Sequence, residues 1–186
     1  MPTTPTSQTG VAGEFYVAAQ LSQRGWQASV LLGNSRRTDI LAHHPETGVS
    51  VSIQSKAANG GGDFQAGKAS EEPSIPGTRE WFAFVGLSSP DERPTFYVVP
   101  RNVISAFSWC QHQAWLRSTR RDGQPHRDNN MRNISQRYLD AYRERWDDLL
   151  LPPDEIPYQL PQWFWDWKAD VGLPPGHPGA VRPGDR

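Results

Sequence analysis

A single cysteine in 186 residues leaves Cys110 without a partner, which excludes an internal disulfide and a cysteine-rich zinc site. Within FSWCQHQAW, Cys110 reads as a small buried helix residue. No apolar run approaches the ~20 residues that a membrane-spanning helix needs. The opening stretch, MPTTPTSQTG, lacks the basic and apolar regions of a secretion signal, so a cytoplasmic protein is expected. Charge of one sign is not in excess either. A net charge of -1 and a pI near 6.5 leave no overall basic surface, so nucleic acid would have to be met by a local patch.

What is present suits one domain with substantial polar loops: 36% hydrophobic residues and a mean hydropathy of -0.68. Residues 1–9 are rich in Thr, Pro and Ser and read as a disordered start. Residues 10–150 carry the element signals, 151–171 form a Trp- and Pro-rich strap, and 172–186 a flexible tail. From Gly10 to Arg24, Val11, Phe15, Ala18 and Leu21 recur at helical spacing. WQASVLLG reads as a strand, and TDILAHHPETGVSVSIQSK as two strands around a Pro-Glu-Thr-Gly turn. A long polar stretch from Asn59 to about Gly77 has the composition of a mobile loop. EWFAFVGL and TFYVVP are strands, and the segment after Pro100 is helical with Val103, Phe107, Cys110 and Ala114 on one face. A further helix is expected from about Arg132 to Leu150, with Ile134, Tyr138, Tyr142 and Trp146 as its stripe. This order predicts an α/β fold, a mixed central sheet with helices on both sides.

The second strand of the hairpin alternates, with Val49, Val51 and Ile53 on one face and Gln54 and Lys56 on the other. Pairing about the turn brings Asp39 close to the Gln54 end. Glu14 sits among the apolar residues of the first helix, where an unpaired carboxylate is costly. Together these residues suit phosphodiester hydrolysis assisted by a hard divalent cation, which prefers oxygen ligands. Asp39 would be the main anionic ligand, with the Gln54 side-chain oxygen and the Ser55 backbone carbonyl beside it. Glu14 would act through water or a second ion, and Lys56 would orient the attacking hydroxide.

Glu14, Asp39 and Gln54-Ser55-Lys56 in this order resemble the PD-(D/E)xK nuclease superfamily, with its restriction-endonuclease-like fold. GEFYVAAQLSQRGW and the spacing from RRTDIL to VSIQSK are similar to its small, Holliday-junction-resolvase-like branches. The resemblance covers residues 10 to 110 and implies metal-dependent cleavage of DNA, duplex or branched, with Mg2+ as cofactor and Mn2+ as a substitute. It also implies that two chains, a homodimer, serve to cut both strands. Two departures stand out: Thr38 precedes Asp39 where the family often has proline, and Gln54 replaces the acid of the (D/E)xK position. The second removes one negative charge, which weakens cation affinity and opens the alternative of a catalytically lapsed module that binds DNA or protein.

Several basic residues are candidates for backbone contacts. Arg36 and Arg37 precede Asp39 and suit either a phosphate clamp or a solvated turn. Lys68 lies in the glycine-rich stretch, and Arg117, Arg120 and Arg121 open an arginine-rich loop. Trp163, Trp165 and Trp167 suit a strap packed on the domain, a surface for a protein partner, or a platform for bases.

Overall fold

The computed structural model describes residues 6–32 and 35–180, with 182 and 184 beyond them. Helix α1, Thr6–Gln23, leads into β1 (Gln27–Val30), β2 (Ile40–His43) and β3 (Ser50–Asn59). A short β4 (Phe64–Gln65) precedes β5 (Glu80–Leu87) and β6 (Thr95–Pro100). Helix α2 (Arg101–Arg117), the two-residue β7 (Asn133–Ile134) and helix α3 (Gln162–Val171) complete the chain. The central sheet has the order β1-β2-β3-β5-β6, and β4 pairs with β7 in a second, two-stranded sheet. Only β3 and β5 run parallel; the other neighbours in the central sheet are antiparallel. The expected mixed α/β class is what the chain adopts.

Parallel pairing explains the long stretch from Asn59 to Gly77, because parallel strands need a crossover of a dozen or more residues. That stretch is not the free loop its composition suggested. Phe64 is fully buried, with its ring 5.0 Å from Phe84, and Ser70 and Glu71 are buried in a 3-10 turn.

Two helix readings need correction. The first helix begins at Thr6, and of its expected stripe Leu21 is buried but Val11 and Phe15 are 50% and 59% exposed. The face against the sheet runs through Thr9, Gly13, Val17 and Leu21. Small residues win there because α1 lies so close to β3. A methyl group at Gly13 would stand 2.7 Å from the Ala57 Cβ. The second correction concerns 132–150. Ile134, Tyr142 and Trp146 are buried as expected, but the segment is β7 followed by separate 3-10 turns. Glu144, at φ 55°, breaks any continuous helix there.

Successive strand residues face opposite sides of a sheet. Ser55 and Ala57 lie against Gly13 of α1, whereas Gln54 meets Arg101 at the start of α2. The two helices therefore cover opposite faces near the end of β2. The strap packs onto α2: Trp163 lies 5.3 Å from Phe107 and 5.0 Å from Tyr138, centroid to centroid. Phe164 and Trp165 are buried, and the Trp167 ring lies 4.3 Å from that of Trp163, tilted by 52°. The rings of Trp163, Trp165 and Trp167, expected as a strap or a partner surface, thus pack on the chain's own domain, with Trp163 and Trp167 left half-buried. None of the helices is long and apolar enough to cross a membrane, among the described residues.

Candidate functional site

The hairpin sets the site. Ile40 pairs with Ile53, the Asp39 amide donates to the Ile53 carbonyl at 2.9 Å, and β2 then diverges. Beyond Ile53 the edge of β3 that faced β2 is open. Asp39, in the bend before β2, fills the first position there: its Oδ2 accepts from the Ser55 amide at 2.8 Å. The register expected from the turn thus places Asp39 beside Gln54 and Ser55.

Glu14, Asp39, Ser55 and Lys56 line a single cleft between α1 and this open edge, of about 400 Å³. Thr9, Asn59 and Asp63 form its far side. Gly13 is what lets Glu14 reach it. The electrostatics agree with close approach. Burial raises the Glu14 carboxyl above its usual range, Asp39 raises it further, and Lys56 partly offsets both. Burial lowers the Lys56 ammonium, Asp39 and Glu14 act to raise it, and the Arg101 charge adds to the lowering. Two acids and a partly desolvated lysine therefore share one electrostatic environment. Among the described residues, no three His, Cys, Asp or Glu side chains converge as a metal cage.

Gln54 departs from expectation. Its side chain is buried and turned from the cleft: Oε1 accepts from Arg101 Nη2 at 2.8 Å, and Nε2 donates to the Arg36 carbonyl at 3.3 Å. An oxygen already held by a guanidinium is a poor place for a cation. Arg101 is 1% exposed, sits 4.6 Å over the Phe82 ring, donates to the Arg37 carbonyl at 3.1 Å and contacts Glu80 at 2.7 Å. Burial and the like charge of Arg37 lower it to about 10, so it stays charged at neutral pH. The sequence reading passed over Arg101. One signal was there: an arginine in the first turn of a helix opposes the helix dipole and asks for a tertiary partner.

The basic candidates are mostly engaged within the chain. Arg36 and Arg37 both pair with Glu72, and Arg37 also bonds Glu80 at 2.7 Å. Lys68 pairs with Asp128 at 3.0 Å, Arg117 with Asp170 at 2.7 Å and Arg120 with Asp122 at 3.1 Å. Arg132 is buried against Glu71 at 2.5 Å. Arg121 is exposed and has no ion pair among the described residues. Among the described residues, acids thus face most of these basic candidates, from nearby in the chain for Arg120 and from distant segments for Arg36, Arg37, Lys68 and Arg117.

No protein-family model matches the chain, and no curated protein matches it. Among solved structures, the chain is similar to a bacterial homing endonuclease, I-Ssp6803I. The TM-score is 0.47 at 17% identity, over 80% of this chain and 93% of that one.

Proposed function

We propose that the cleft between α1 and β3 hydrolyses phosphodiester bonds in DNA with a divalent cation, Mg2+ or in its place Mn2+, as the restriction-endonuclease-like reading of the sequence implies. The observation that carries this is the convergence of Glu14, Asp39 and Lys56 on one cleft at the open edge of β3.

The donor set fits a hard cation. Two carboxylates that repel one another favour a positive charge between them, and Asp39 and Glu14 would hold it. In a strand, the N–H and C=O of one residue leave on the same side. The Ser55 carbonyl therefore joins Asp39, whose Oδ2 bonds the Ser55 amide. A site with few protein ligands suits magnesium, which keeps several waters. When bound, the ion supplies Lewis acidity and a more acidic water. The chain's own residues do the rest. Lys56, its proton affinity lowered by burial, orients the attacking water and stabilises charge that develops on the phosphoryl oxygens. Glu14 adds to the negative potential that favours the charged form of Lys56.

The test is a panel of labelled duplex, branched and single-stranded DNA and of RNA, with Mg2+, with Mn2+ and with chelator. Cleavage of DNA by the natural chain, lost with chelator and in Asp39→Ala, supports the reading. Cutting that persists in chelator, or in a correctly folded Asp39→Ala protein, refutes it. That no three His, Cys, Asp or Glu side chains converge on one point, among the described residues, favours a second reading, a nuclease-fold module that binds DNA or protein without cutting. DNA binding unaffected by Mg2+, with no cleavage anywhere in the panel, would select it.

A further inference from the structure

We infer that Gln54 and Arg101 form a brace that positions Asp39, so that the glutamine serves the site through hydrogen bonds from behind it rather than as a ligand. This rests on the reading of Asp39 as the principal cation-holding residue of the cleft.

The geometry explains why an amide stands there. Gln54 both accepts and donates: Oε1 takes a hydrogen bond from Arg101 at 2.8 Å, and Nε2 gives one to the Arg36 carbonyl at 3.3 Å. An amide does both with one side chain, which an ionised carboxylate of the same shape cannot. A carboxylate would keep the bond from Arg101, but it would set an acceptor oxygen against the Arg36 carbonyl, with no hydrogen between them. Arg101 closes the arrangement from the other end, because the same Nη2 donates to the Arg37 carbonyl at 3.1 Å. The two carbonyls just ahead of Thr38-Asp39 are thus both tied to the Gln54–Arg101 pair. Arg37 is anchored further through its own side chain to Glu80, at 2.7 Å, and to the Pro73 carbonyl, at 2.8 Å.

This matters for Asp39 because it lies outside β2, in a bend. Its position is set by its own bonds to Ile53 and Ser55 and by the path of residues 36–38 into it. A bend held at its carbonyls by a buried cation and an amide has little freedom, which is what a residue aimed at a reacting centre requires. Arg101 makes this hold a tertiary one. It lies 47 residues from Gln54 in the chain and ties α2 to the hairpin. It is fully buried and its Nη1 has no hydrogen-bond partner, so its position is fixed by packing and by these few bonds.

The experiment compares the full chain with Gln54→Glu, Gln54→Met and Arg101→Met by two measurements that need no cleavage. One is Mn2+ affinity by electron paramagnetic resonance. The other is hydrogen exchange at the Asp39 and Ser55 amides. A brace predicts that Gln54→Met and Arg101→Met each speed exchange at both amides by about tenfold or more, the scale set by losing a hydrogen bond to a charged group. The double variant should be no worse than either single one. It also predicts that Gln54→Glu leaves Mn2+ affinity equal or weaker. A tenfold tighter Mn2+ affinity in Gln54→Glu, with both amides exchanging as in the natural chain, would make residue 54 a ligand and overturn the inference. If Arg101→Met does not fold, the two Gln54 variants still decide it. An absence of DNA cleavage would remove the proposed function while leaving this result readable.

Discussion

The carboxylate of Asp39 and the backbone amide of Ser55 meet at 2.8 Å, just beyond the last paired residues of β2 and β3. That one bond turns the end of a strand pair into a site. It spends the first free donor of the open edge on an acid and holds the acid beside Lys56. The consequences can be measured one residue at a time.

Replacing Gly13 by alanine should be costly, although its backbone is ordinary helix. The added methyl would stand 2.7 Å from the Ala57 Cβ and 3.4 Å from the Ser55 Oγ, so α1 must back away from β3. Overpacking of this kind costs about 1–3 kcal/mol. Urea denaturation should show that loss. Cleavage should fall further than stability alone explains, because Glu14 moves with the helix.

Asp39→Asn should keep the fold and lose the chemistry. The amide oxygen can still accept from Ser55, so melting should change little. With one negative charge removed beside Glu14 and Lys56, cleavage in magnesium should drop by about 100-fold or more. A melting curve recorded beside the rate separates the two effects, and a rate within threefold of the natural chain would contradict the assignment.

The stability of the chain should fall in acid through Glu80. Burial alone would raise its carboxyl, but the hydrogen bond from Arg37, the bond from the Ile75 amide and the charge of Arg101 outweigh burial and leave it below the usual range. A carboxyl depressed on folding stabilises the native chain above its unfolded pKa, and that stabilisation is lost as pH falls through the folded value. Urea midpoints measured from pH 6 downward should therefore decline, and Glu80→Gln should flatten the decline. An unchanged slope in that variant would place the acid sensitivity elsewhere.

Trp163→Ala tests the strap. The ring packs against Phe107, Tyr138 and Trp167, so its loss should destabilise the fold by about 3 kcal/mol. DNA affinity below the melting temperature should stay as it was. A selective loss of binding would instead make the ring a contact for bases.

How much of this was legible in the sequence varied with the kind of signal. Strand register was readable because the Pro45–Gly48 turn and the alternation after it leave little freedom, and Asp39 fell where the turn put it. The parallel crossover was visible as length, but its buried Phe64 and Glu71 were hidden in polar company. The sheet-facing side of α1 was legible only at Leu21, because close approach selects Gly13 and Thr9, which carry no hydrophobic signal, while Val11 and Phe15 mimic one. At 132–150, Ile134, Tyr142 and Trp146 are buried from β7 and from separate 3-10 turns, and their spacing alone cannot distinguish these from a helix. Gln54 looked like a ligand because its partner, Arg101, is distant in the chain and announces itself only by sitting awkwardly at a helix start. The acids that neutralise Arg36, Arg37 and Lys68 likewise come from distant segments.

The most direct measurement is the single-turnover cleavage rate of labelled DNA in magnesium, for the natural chain beside Lys56→Ala purified in the same way. If Glu14, Asp39 and Lys56 act together on one phosphodiester, the variant should bind DNA as before and cut it about 100-fold more slowly or worse. Equal rates from the two proteins would show that this cleft is not where DNA is cut.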